Sequence, residues 1–209
     1  MPDLLPAAPQ NGLDVAPGPV GRALGAIIRI PRAYDLVQRV AGAREARRRL
    51  RRVLEQATGK VVLDVGAGTG SIEAALPPGA RYVWLDADPQ KLNGFRTKSP
   101  SQAILGDATK LPLRDRSVDW AVSSGVSHHL DDAELGLMLD ELRRVAREGV
   151  VFVDAVLSRA PASRLLWRYD RGRHARPAVT LWRELNQRFE VVEAQEFRLL
   201  HRYLLVKAV

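Results

Sequence analysis

The sequence predicts an α/β protein built on a doubly wound sheet of seven strands, mostly parallel with an antiparallel last strand, plus an N-terminal helical cap. Two observations carry this. Five short apolar runs, four ending at or beside an acid or serine, alternate with helical or loop stretches, the pattern of a parallel sheet with crossovers. Two further strand-like runs, Phe189 to Phe197 and His201 to Val206, have only about three residues between them. So short a link permits only an antiparallel pair, because a parallel crossover needs about a dozen residues or more.

The elements follow in order. Residues 1–20, rich in Pro, Ala and Gly, read as a disordered tail. From about Ile27 to Ala57 the pattern is helical with a break near Gly42, and Leu50, Val53, Leu54 and Ala57 form its buried stripe. Gly59 stops that helix. Val61 to Val65 is the almost wholly apolar run of a central strand covered on both faces. It breaks into Gly66-Ala67-Gly68-Thr69-Gly70 and a short helical stretch, Ser71 to Leu76. Tyr82 to Leu85, Ala103 to Leu105 and Val118 to Ser123 read as the next strands. Asp131 and Glu134 have capping-box spacing ahead of a helix striped by Leu135, Met138, Leu139, Leu142, Val145 and Ala146, which Gly149 ends. Val150 to Val153 is the fifth strand, ending at Asp154, and the basic, aromatic stretch Arg164 to Arg176 is too irregular for core. The boundaries are a cap over 21–59, a cofactor-binding core over 60–157, a substrate-cap segment and helix over 158–188, and the hairpin over 189–209.

Composition narrows the function. With 209 residues the chain makes one domain, and no apolar run approaches the ~18 residues that spanning a bilayer requires. Residues 1–21 lack Lys and Arg and are broken by five prolines, which is not a signal peptide. The absence of cysteine excludes disulfides, thiolate metal sites and Cys nucleophiles, and leaves the cytoplasm as the default compartment. The net charge of +8 is uneven: residues 1–60 carry +6, residues 61–150 carry −3 and residues 151–209 carry +5. The basic flanks, including the arginine run over 44–52, suit RNA, an anionic membrane surface or an anionic metabolite, or are the wet face of a helix.

In an open α/β sheet, ligands bind beyond the carboxyl ends of the strands. Those ends supply Asp64 with the glycine loop, then Asp86, Asp107, Ser123 with Ser124, and Asp154. An acid about 20 residues after the loop is placed to take both hydroxyls of a ribose, and Asp107 to hold an adenine amino group. The last glycine of a dinucleotide loop is replaced by Ser71, and no Lys follows as in a P-loop. Asp64 and Glu73 flank the loop and repel phosphate; Asp64 instead welcomes an ammonium and a nearby sulfonium. The chemistry favours S-adenosylmethionine over a nucleotide.

VVLDVGAGTG (61–70), YVWLDADPQKL (82–92), LGDATKLPLRDRSVDWAVSSGVSHHL (105–130) and the terminal hairpin together resemble class I S-adenosylmethionine-dependent methyltransferases of Rossmann-like fold. The branch is similar to the type-11 domain of ubiquinone/menaquinone C-methyltransferases, over about residues 30–209. The resemblance implies that Asp64, Gly66, Ala67 and Gly68 cradle the methionine end, Asp86 binds the ribose hydroxyls with Asp88 as its rival, and Asp107 and Ala108 read the adenine. Backbone near Ser123 and Ser124 lines the methionine side. The product is then S-adenosylhomocysteine, and no metal is expected. Departures from related groups bear on the acceptor. The Asn/Asp-Pro-Pro-aromatic block of base aminomethylases is replaced by Ser124-Gly125-Val126-Ser127, and the carboxylates of catechol-type enzymes by Gly125 and His128.

His128 and His129 follow the fourth strand and are the candidate catalytic bases, although a His-His-Leu turn also serves this family as a structural corner. Arg171, Arg173 and His174, with Arg176, are candidate clamps for a carboxylate or phosphate. Tyr34, with Asp35 and Gln38, resembles an N-terminal lid. The expected activity is methyl transfer to a small molecule, lipid-like or anionic. The alternatives are an RNA methyltransferase using the basic helix and a non-catalytic module retaining the fold.

Overall fold

The computed structural model describes residues 43–96, 101–168, 170, 172–198 and 201–209. The tail over 1–20 lies outside the described residues, as do Tyr34, Asp35, Gln38 and Arg171. The centre of the sheet is β1 (Val61–Val65), five residues with no polar side chain except Asp64, and four of the five are buried. It pairs in parallel with β2 (Arg81–Asp86) on one side and β4 (Val118–Ser124) on the other. Beyond them lie β3 (Gln102–Leu105) and β5 (Ala146–Val156), also parallel. The strand β7 (Arg202–Ala208) inserts antiparallel between β5 and the edge strand β6 (Val191–Arg198), so the seven-stranded order is β3-β2-β1-β4-β5-β7-β6.

Alternation along the strands feeds two cores. Leu63, Val65, Val150, Phe152, Leu204 and Val206 face one layer, with Leu135, Met138, Leu139 and Leu142 of α3 (Asp132–Val145) and Leu181 and Leu185 of α5 (Ala178–Asn186). Val62, Val122, Val151, Val153 and Leu205 face the other, under Leu50, Val53 and Leu54 at the end of α1 (Ala43–Val53). Both faces of a mostly parallel sheet are therefore covered, as such sheets require. Two shorter helices, α2 (Pro89–Arg96) and α4 (Pro161–Trp167), complete the described elements. Among the described residues no helix is long and apolar enough to cross a membrane.

The strand runs, the buried stripes and the capping box stand where expected; Asp131 accepts from the Glu134 amide and the Glu134 side chain accepts from the Asp131 amide. Three expectations are corrected. Gly149 does not end α3, which stops at Val145; it lies inside an eleven-residue β5. A Cβ there would stand 2.6 Å from the Trp120 ring and 2.7 Å from the Ala208 carbonyl, so close packing demands the glycine. The stretch after the glycine loop is a single 3-10 turn, Glu73–Ala75, rather than a helix. The stretch Arg164 to Arg176 is not wholly irregular or outside the core, since it opens within α4 and Arg176 is buried.

Candidate functional site

The strand order reverses between β1 and β4, and the crevice beyond their carboxyl ends is the ligand position of a doubly wound sheet. The chain leaving β1 turns through Gly66, Gly68 and Gly70, all with φ between +57° and +73°. Gly66 is required twice over. Its backbone is left-handed, and a Cβ would meet Val126 Cγ2 at 2.4 Å, so the loop after β1 is pressed directly on the loop after β4. The Gly66 and Ala67 amides both donate to the Leu85 carbonyl, and the Trp84 indole donates to the Gly68 carbonyl.

Asp64 is 1% exposed beneath this loop. Its Oδ2 accepts from the Tyr82 hydroxyl at 2.6 Å, while its Oδ1 is buried without a hydrogen-bond partner. Burial pushes its carboxyl up to about 7, against the pull of the Tyr82 hydrogen bond and reinforced by the charge of Asp86. Asp86, at the end of β2, accepts from the Gly68 amide at 2.8 Å and the Asp88 amide at 2.9 Å, with Lys91 Nζ 3.5 Å away. Each carboxylate oxygen can accept a second bond, so Asp86 both sets the loop and keeps capacity for a ligand. Asp107 is exposed beyond β3, and its Oδ1 caps Thr109 at the amide and hydroxyl. Ser123 turns its hydroxyl into the core towards Met138 Sδ, leaving only its backbone to meet a ligand; Ser124 is half-buried. A tight turn with no room for a Cβ at Gly66 and an orphaned buried carboxylate oxygen on Asp64 fit the α-ammonium of S-adenosylmethionine.

His128 stands apart from this cradle, in a cavity of about 240 Å³ lined by Gly125, His128, Asp154, Asp170, His201 and Tyr203 among others. Its Nδ1 is 2.8 Å from Asp154 Oδ1. Asp154 is fully buried and accepts also from the Ser127 amide, the Ser127 hydroxyl and the Ala155 amide. Asp170 Oδ1 lies 3.5 Å from His128 Nε2, and the edge of the Trp167 ring packs on the imidazole, centroids 5.5 Å apart. Burial alone lowers the His128 pKa, but the Asp154 hydrogen bond and the charges of Asp154 and Asp170 outweigh it and leave the group above its ordinary value. His129 lies beside it, centroids 4.3 Å apart, and desolvation with the neighbouring His128 pulls its pKa down.

The segment after α4 closes over this corner. The His174 amide donates to the His128 carbonyl, and a Cβ on Gly172 would lie 2.2 Å from the His128 ring. Arg176 is not part of an anion clamp. It donates to the carbonyls of Ser127, Leu130 and His174 and to Asp132, binding the segment to the turn after β4. The side chains of Arg173 and His174 are exposed, and neither lines the cavity. Asp170, Trp167, His201 and Tyr203 were not expected at the site. Asp154 carries a signal, as an acid closing an apolar strand; His201 and Tyr203 arrive through the insertion of β7 beside β5, and Trp167 and Asp170 through α4 and the turn after it.

Residues 63–154 match the family described as a methyltransferase domain. An uncharacterised methyltransferase of Mycobacterium sp. (strain JLS) is 37% identical over 94 residues, 44% of this chain and 36% of that protein. The chain thus spans little more than a third of the length of such curated relatives. Among solved structures, a SAM-dependent methyltransferase from Aquifex aeolicus superposes with a TM-score of 0.62 at 16% identity, over 90% of this chain and 96% of that one. A geranyl diphosphate methyltransferase solved in complex with SAM gives 0.67 at 10% identity, over 78% and 84%. The fold is that of solved S-adenosylmethionine-dependent methyltransferases, and the match to the methyltransferase-domain model falls on the core that builds the crevice. That match covers residues 63–154, from the centre of β1 to Asp154 of β5.

Proposed function

We propose that this protein transfers the methyl group of S-adenosylmethionine to a small-molecule acceptor held over the ends of β4 and β5. The observation that carries this reading is one of adjacency. The glycine cradle with the orphaned Asp64 Oδ1 sits at the β1–β4 reversal, and Gly66 presses on Val126, two residues before the His128 that lines the cavity.

In this reading Asp64, Gly66, Ala67 and Gly68 take the methionine end, Asp86 the ribose hydroxyls, and Asp107 with Ala108 the adenine. The backbone of Ser123 and Ser124 lines the same end as Asp64. When bound, the cofactor supplies an electrophilic methyl carbon on a sulfonium. What remains for the chain is to align the acceptor, exclude water and manage the acceptor's proton. A cavity of about 240 Å³ falls just below the range of ~300 Å³ and more that holds drug-sized ligands. It suits a metabolite of one ring or a short chain. Within α1 the arginine run is partly engaged: Arg49 bonds Glu45 and Gln195 and stacks on Phe197, and Arg51 donates to the Ala74 carbonyl. That weakens the case for RNA as acceptor.

The test supplies the protein with methyl-labelled S-adenosylmethionine and, separately, a small-metabolite extract or total RNA. Label is expected in the low-molecular-weight fraction, insensitive to salt. Label in RNA that fades steeply as salt rises would replace this reading with the RNA one.

A further inference from the structure

The cavity holds a buried His–Asp pair that binding of the cofactor does not use. Asp154 accepts four hydrogen bonds, from Ser127 N, Ser127 Oγ, Ala155 N and His128 Nδ1. An ionised carboxylate only accepts, so the proton in the last of these is the imidazole's, and in the neutral ring Nε2 carries the lone pair. His128 and Asp170 both line the cavity, with Asp170 Oδ1 3.5 Å from Nε2. The ring cannot swing away, because Trp167 packs on its edge and the Gly172 backbone lies against it. A corner residue serving packing alone needs no fixed tautomer, no buried carboxylate behind it and no open nitrogen in front.

We propose that His128, positioned by Asp154, is the general base that takes the proton from a phenol-type hydroxyl acceptor seated in this cavity. This rests on the methyltransferase reading above. As the acceptor's O–H proton passes to His128 Nε2, the oxygen lone pair forms the new C–O bond, the carbon–sulfur bond breaks and its electron pair stays on sulfur. The products are an aryl methyl ether, S-adenosylhomocysteine and an imidazolium, which then releases its proton to water.

The acceptor class follows from matching. A neutral amine needs no base, and an aliphatic alcohol is too weak an acid for an imidazole to ionise. A phenol is acidic enough, and transfer between partners of similar basicity near neutral pH is where a histidine base is effective. The walls agree with an aromatic ring: Tyr203 and His201 line the cavity, His201 is in edge contact with Trp167 at 4.9 Å, and Trp167 Nε1 is buried without a hydrogen-bond partner. The charged and titratable groups facing His128 are Asp154 from β5, Asp170 from the segment after α4, Arg176 from the approach to α5, His201 just before β7 and Tyr203 within it, and His129. Asp154 and Asp170 stabilise the imidazolium formed during the step, and Arg176 opposes them.

The probe is 4-nitrophenol, a one-ring hydroxyl whose anion is yellow, added to the full chain without cofactor at a pH equal to the probe's own pKa, where the unbound probe is half ionised. Binding is expected to raise the anionic fraction clearly above one half. His128→Asn keeps a donor for Asp154 but no base; it is expected to bind the probe without added colour, still folded by its cooperative melting transition and with unchanged S-adenosylhomocysteine binding by calorimetry. Asp154→Asn is expected to reduce the colour gain. Equal colour in His128→Asn, binding with no colour, or no binding at all would each overturn the proposal. So would a colour gain abolished by a chelator, which would assign the effect to a cation held by His128, His129 and Asp170. Failure of the native protein to bind S-adenosylhomocysteine would instead fall on the methyltransferase reading, and the colour assay does not depend on it.

Discussion

Replacing Asp64 by asparagine separates stability from cofactor binding at one buried atom. In the native fold the Asp64 carboxyl titrates at about 7 rather than 3.8, chiefly because burial disfavours its charge. A folded-state pKa raised above the unfolded one means that the folded chain holds its proton longer. Stability is therefore fully present at acid pH and falls as pH rises from about 4 to about 7, where only the unfolded chain is already ionised. At about 1.4 kcal/mol per pH unit the ceiling of that loss is about 4 kcal/mol. The amide of Asp64→Asn stays neutral, and its carbonyl can still accept from the Tyr82 hydroxyl that bonds the native carboxylate. A gain of half the ceiling, about 2 kcal/mol, raises the melting temperature by roughly 4 to 8 °C in a domain of this size. The assay is thermal unfolding of both proteins at about pH 8 and about pH 4, with the gain expected at the higher pH and mostly lost at the lower. In the proposed cofactor site the same variant loses the charge offered to the ammonium, so S-adenosylhomocysteine should bind roughly 10- to 150-fold more weakly, the worth of one charged hydrogen bond. A variant that is destabilised equally at both pH values, or that binds S-adenosylhomocysteine as tightly as the native chain, would refute the reasoning.

Other perturbations are read from the same contacts. Gly66→Ala introduces a methyl 2.4 Å from Val126 Cγ2 at a left-handed backbone position, and should abolish S-adenosylhomocysteine binding measured by calorimetry while the melting temperature falls modestly. Gly149→Ala strikes the Trp120 ring and the Ala208 carbonyl in mid-sheet and should cost about 1 to 3 kcal/mol in urea unfolding, with cofactor binding spared in the folded fraction. Arg176→Ala removes donors from three carbonyls and Asp132 and should cost about 2 to 4 kcal/mol, with proteolysis appearing first in the segment around 170–176. For His128, whose pKa is raised above 6.5, stability contributed by its charge is fully present below that value and lost as pH rises through the folded pKa. His128→Asn should therefore destabilise more at about pH 5.5 than at about pH 8, measured by urea midpoints.

How much of this was legible in the sequence differs between the two halves of the site. Val61 to Val65 has to be a central strand because a nearly unbroken apolar run needs cover on both faces, and the cradle follows because Gly66 to Gly70 can only be a turn. Asp64 and Asp86 are eighteen residues from their partners Tyr82 and Gly68, yet parallel register alone brings them together. The cavity could not be read that way. It needs β7 threaded between β5 and β6, which places His201 and Tyr203 next to Asp154, and a segment after α4 whose turn delivers Asp170 to His128. Gly149 misled for a related reason. A glycine after a helical stripe reads as a stop, whereas here a neighbouring indole fixes it from across the sheet. Arg176 misled likewise, since an arginine beside other arginines reads as surface until its carbonyl partners are known.

The most direct measurement is calorimetric titration of the full chain with S-adenosylhomocysteine, alongside Asp86→Ala. One-site binding by the native protein that is lost or weakened more than about tenfold in the variant, the loss of a charged hydrogen bond, is the expected result. Saturable binding that the variant keeps unchanged, or no binding by the native protein at all, would contradict the assignment of the cofactor to the crevice between β1 and β4.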